Sequence, residues 1–102
     1  MVYLKYYPMQ YTLVEHFLSE EGKNYLPQWI KEIKVALNDF DGFQKLELLE
    51  DVTDNERTLF LLQFETLDNL QKWATSETHN WFLKKLHPHM LQKQHSQLLR
   101  SK

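Results

Sequence analysis

The chain predicts an α+β domain with the ferredoxin-like βαββαβ order, an antiparallel sheet with two helices on one face. Three observations carry that expectation. Strand-like runs fall at residues 9–18, 43–52 and 58–65, and helical apolar spacing fills the intervals at 26–40 and 66–87. The second and third runs are joined only by the polar stretch Asp51-Val-Thr-Asp-Asn-Glu-Arg57, which favours an antiparallel hairpin. The first and third runs carry large apolar residues on both faces, so neither side of the sheet is simply solvated.

Each element has its own warrant. Met9 to Leu18 places Tyr11, Leu13, Glu15 and Phe17 on one face and Thr12, Val14, His16 and Leu18 on the other. Ser19-Glu-Glu-Gly22 breaks the strand and offers a cap and acids to a helix start. Leu26, Ile30, Ile33, Leu37 and Phe40 then form an amphipathic stripe, with Trp29 beside it. Pro27 leaves two starts open. With Asn24 as cap it lies in the first turn, where its missing N–H costs nothing; with Ser19 as cap the helix should kink there. Asp39, Asp41 and Gly42 end this helix. Phe43 to Val52 sets Leu46 and Leu48 against Phe43 and Leu49, and in Thr58 to Glu65 the residues Phe60, Leu62 and Phe64 alternate with Leu59, Leu61 and Gln63.

Thr66 caps the second helix, whose stripe is Leu67, Leu70, Trp73 and Ala74. Thr75-Ser76 is a weak point in it; Trp81, Phe82 and Leu86 continue the apolar face, and Pro88 stops it. A short fourth strand is expected near Lys93 to Arg100. Residues 1–8, with three tyrosines, read as an extra edge strand, an arm or a lead-in to a domain spanning 9–102.

Composition bounds the function. The chain has 102 residues, 42% hydrophobic and 14% aromatic, with two Gly and three Pro, so it is neither a disordered linker nor a low-complexity tract. Zero Cys excludes disulfides, thiolate metal sites and a Cys nucleophile. A net charge of −2 gives no general attraction to nucleic acid or an anionic membrane, and no apolar run approaches a membrane span. The first residues lack the pattern of a secretory signal, so the cytoplasm is the expected compartment. The open, apolar sheet face calls for a cover, and a second copy of the chain supplies one: a homodimer, sheet against sheet.

Polar and aromatic groups converge with regular spacing in one stretch. Trp73, Ser76 and His79 follow at steps of three, neighbours on one helical face. Ser76 reads equally as a local cap. A serine-hydrolase reading lacks a nucleophile elbow and an acid partner. His87-Pro-His89 offers too few ligands for zinc or iron, and no metal is expected.

The pattern Glu15-His16-x-Leu18-x-x-x-Gly22, Trp29, Gly42-Phe43 and Phe64-Glu-x-x-x-x-Leu70-x-x-Trp73-x-x-Ser76-x-x-His79 resembles the antibiotic biosynthesis monooxygenase superfamily over Met9 to Pro88. The resemblance implies a dimeric α+β barrel with a helix–sheet pocket in each subunit. It also implies a cofactor-independent monooxygenase acting with dioxygen on a small aromatic or quinol-like substrate. A haem-degrading branch uses an Asn, a Trp and a His. Here His16 stands where that Asn would be, and His79 follows Trp73 sooner than in that branch. On this resemblance His16, His79 and Trp73 are the catalytic candidates, and Trp29, Phe60, Phe64 and Ser76 the substrate-binding ones. The alternatives are a non-catalytic dimeric module holding a small apolar or aromatic ligand, and a haem-binding relative. His16 suits a general base near neutral pH and equally a hydrogen-bonded wall residue; Trp73 and Trp29 suit a stacking wall and equally a core.

Overall fold

A computed structural model describes residues 9–102, and the expectations for residues 1–8 lie outside that range. Its elements are β1 (Gln10–Leu18), α1 (Glu20–Leu37), β2 (Phe43–Leu49), β3 (Thr58–Phe64), α2 (Leu67–Ala74), α3 (Glu77–Leu86), a 3₁₀ turn at His87–His89 and β4 (Met90–Arg100). The strands form one antiparallel sheet in the order β2-β3-β1-β4, the expected ferredoxin-like arrangement.

Ser19, not Asn24, caps α1: its Oγ accepts the Gly22 N–H at 3.2 Å, and Glu20 and Glu21 fill the first turn. The helix therefore carries Pro27 in its interior and runs on through it. Leu26, Trp29, Ile30, Ile33 and Leu37 are all buried, and packing of that stripe offsets the lost N–H. α1 ends at Leu37, before Phe40, and the chain turns through Gly42 at φ 77°, where a Cβ would also strike the Asn69 side chain.

The expected second helix is two helices. Thr66 caps α2, accepting the Asn69 N–H at 3.0 Å. At the break the Ser76 Oγ donates to the Trp73 carbonyl at 2.7 Å and accepts the His79 N–H at 3.1 Å, closing one helix and opening the next. The fourth strand starts at Met90, three residues before Lys93, and runs alongside β1 over its whole length. Its pairing slips between Glu15 and Phe17 and again between Phe17 and Leu18, so the irregularity lies beside His16.

The core lies between the sheet and the helices. Leu18, Leu46, Phe60, Leu62 and Phe64 meet the α1 stripe, Leu70, Trp73, Phe82 and Leu86. The opposite face of the sheet presents Tyr11, Leu13, Phe17, Leu59, Leu61, Leu49 and Leu99, by strand alternation and register. No helix among the described residues is long and apolar enough to cross a membrane.

Candidate functional site

Between the sheet and the helices the core is incomplete. A cavity of about 290 Å³ is lined by Thr12, Val14 and His16 of β1, Leu46 of β2, Phe60 and Leu62 of β3, and Gln94, Ser96 and Leu98 of β4. Trp29, Ile33 and Leu37 close it from α1, Leu67, Leu70, Gln71, Trp73 and Ala74 from α2, and His79 and Leu83 from α3. The exposed lining residues, Gln71, Ala74, Ser96 and Leu98, place its mouth between α2 and β4.

Two histidines supply its chemistry. β1 alternation turns His16 inward, where it is 4% exposed. Its ring stacks on Phe60 (centroids 5.0 Å apart) and meets Trp29 edge-on at 6.2 Å. Nothing nearby bonds its Nδ1. Burial, with a smaller contribution from a charge on His79, pushes its pKa from 6.5 to about 4, so the ring is neutral at pH 7. His79 is set by the Ser76 cap and lies edge-on to Trp73 at 5.4 Å. Its Nδ1 is likewise buried without a partner, and burial lowers its pKa against the opposing effect of a side-chain hydrogen bond to Asn80. Two buried, unsatisfied imidazole nitrogens in one small core are unusual enough to require a reason.

The candidate residues separate cleanly. His16, His79, Trp73, Trp29 and Phe60 all line the cavity. Phe64 and Ser76 do not: Phe64 is wholly buried against Phe43, and both hydrogen bonds of the Ser76 hydroxyl serve the helix break. Trp29 has its Nε1–H committed to the Phe82 carbonyl at 2.9 Å, so it offers a ligand its face and not its donor. Thr12, Gln71, Gln94 and Ser96 are lining residues the sequence reading missed. Alternation placed Thr12 on the same face as His16, whereas the β4 residues had no signal, because that segment reads as a polar tail.

Among the described residues no group of three or more His, Cys, Asp or Glu side chains is placed to hold a metal ion. His89 instead packs on Tyr25 and receives the Ser19 N–H at its carbonyl, 2.8 Å away. Haem fits poorly too. A macrocycle with two propionates meets a cavity of about 290 Å³ whose described lining includes no lysine or arginine.

Solved structures share this fold. A conserved protein from Methanosarcina mazei superposes with a TM-score of 0.82 at 10% identity, covering 94% of this chain and 95% of its own. A protein from Nitrosomonas europaea, provisionally named an antibiotic biosynthesis monooxygenase, gives 0.79 at 10% identity over 98% and 95%. One from Deinococcus radiodurans with the same provisional name gives 0.75 at 14% identity over 92% of each chain. Neither a protein-family profile nor a curated protein matches the sequence.

Proposed function

We propose that this chain binds a small aromatic or quinol-like compound in the helix–sheet cavity and oxidises it with dioxygen, without metal or flavin. The observation that carries the reading is the pair of neutral, unsatisfied histidines in an otherwise apolar cavity, in a fold shared with structures provisionally named monooxygenases. A ligand hydroxyl beside His16 or His79 gains a hydrogen-bond partner that the empty fold does not provide. Transfer of its proton to the imidazole leaves an electron-rich ring, and the ion pair so formed is self-compensating where the protein supplies no counter-charge. Ortho or para to that oxygen the keto tautomer of the ring carries a methylene, which loses two hydrogens and gains one oxygen atom of dioxygen; the other oxygen atom leaves with those hydrogens as water, so the substrate supplies all the electrons. Trp73, Trp29 and Phe60 act as aromatic walls that hold the ring.

The test is oxygen consumption by purified protein across a panel of hydroxylated one- and two-ring aromatics, beside His16→Leu and His79→Leu. Uptake that falls at least tenfold in either variant supports the oxidation. Absence of uptake with every compound refutes it. The low pKa of His16 makes it a weak base before ligand enters, and this favours a second reading: a non-catalytic module in which the imidazoles only hydrogen-bond. Calorimetric binding without oxygen consumption is the outcome that module requires.

The working unit in either case is a homodimer formed through the outer sheet face. Supporting it are Leu49 and Leu99, 38% and 41% exposed, beside the half-buried Leu13, Phe17 and Leu61.

A further inference from the structure

We infer that the cavity selects its ligand by charge: it takes an uncharged aromatic bearing a hydroxyl or keto group, and it rejects the carboxylate of the same shape. This rests on the cavity being the ligand site, as proposed above.

Size comes first. At about 290 Å³ the cavity lies at the lower edge of the roughly 300–1,000 Å³ common for ligand pockets. The bulky side chains that bound it, Trp29, Phe60 and Trp73, are 3%, 5% and 3% exposed and packed against one another or against Phe40 and Phe82. They leave the walls little room to yield, so the cavity takes a flat ring system smaller than its own volume.

Charge is the sharper filter. The described lining has six polar side chains, Thr12, His16, Gln71, His79, Gln94 and Ser96, and none bears a formal charge at neutral pH. The nearby ionised groups answer to one another at the surface: Arg57 bonds Glu15 at 2.8 Å and Asp51 at 2.9 Å, and Lys23 bonds Glu56 at 2.9 Å. A carboxylate entering the cavity loses its water and meets no cation, whereas a hydroxyl or ketone keeps a partner in an imidazole, a hydroxyl or an amide.

The experiment is calorimetric titration of the intact protein at pH 7 with 2-naphthol and 2-naphthoate. Two variants accompany it: Ala74→Trp, an exposed position at the mouth, and Gln94→Lys, which adds a cation to the lining. Naphthol is expected to bind at least tenfold more tightly than naphthoate. Ala74→Trp should abolish its binding, and Gln94→Lys should raise naphthoate affinity at least tenfold. Naphthoate binding within threefold of naphthol in the native protein overturns the charge selection and leaves the ligand site standing. If neither naphthalene binds, or if Ala74→Trp changes nothing, the cavity is not the ligand site and both readings fall.

Discussion

The two faces of this sheet carry similar loads of leucine and phenylalanine and treat their polar residues in opposite ways. On the outer face every charged group described in β1 and β2 is answered: Glu15 by both arms of Arg57, Lys45 by Glu47 at 3.1 Å. On the inner face the helices exclude water, yet His16 has no partner for its Nδ1. A polar group left unsatisfied where desolvation costs most is a different object from an ion pair at the rim. The difference teaches where to look. The outer face carries leucine and phenylalanine partly open to solvent, and the inner face leaves two imidazole nitrogens without a partner.

Removing the inner wall should have the largest effect. Trp29→Ala deletes a buried ring and its hydrogen bond to Phe82 and should lower unfolding free energy by about 3–5 kcal/mol in urea denaturation. A loss below about 1 kcal/mol would mean that the helix–sheet core is looser than described.

Acid comes next. His16 has a folded-state pKa of about 4 against an ordinary 6.5, so the unfolded chain binds more protons between those values. Stability is therefore full above pH 6.5 and falls as pH drops towards 4, by roughly 3 kcal/mol from this group. The depression at His79 acts in the same direction. In His16→Leu the fall should be markedly smaller, and an unchanged profile would assign the acid sensitivity elsewhere.

The outer face should respond to charge in association and not in folding. Leu61→Lys is expected to weaken self-association at least tenfold, about 1.4 kcal/mol, in sedimentation equilibrium while naphthol binding persists. A dimer of unchanged affinity would show that another surface is used. The smallest effect belongs to the rim: Arg57→Ala should lower the urea midpoint least of these changes, and less still in high salt, because its ion pairs are solvated.

Much of this arrangement was legible in the chain, and the failures are instructive. Strand alternation alone put Thr12, Val14, His16 and Leu18 on one face, and the cavity lies on that face. Spacing alone makes Trp73 and His79 neighbours if the helix continues past Thr75-Ser76, the point where it is also open to bend or restart. They are neighbours because the helix breaks: Ser76 ends one cylinder and starts another, and spacing by threes looks the same in both cases. Phe64 failed as a wall because periodicity gives a face and not a depth, and the cavity stops short of the end of β3. Start positions were ambiguous at Ser19 because local rules penalise an interior proline, and only the packed stripe of α1 outweighs that penalty. The contribution of β4 was invisible, since its lining residues are ordinary glutamine and serine that matter only through their pairing with β1.

The three tryptophans occupy three unlike surroundings. Trp81 stands 52% exposed under the Lys85 ammonium at 3.8 Å, whereas Trp29 and Trp73 are buried along the cavity. Their emission should therefore separate by colour, with a water-relaxed red component from Trp81 and a blue component from the other two. An occupant of the cavity would dim the blue light and leave the red, so the protein carries its own optical gauge of occupancy, with an internal standard on the opposite side of α3.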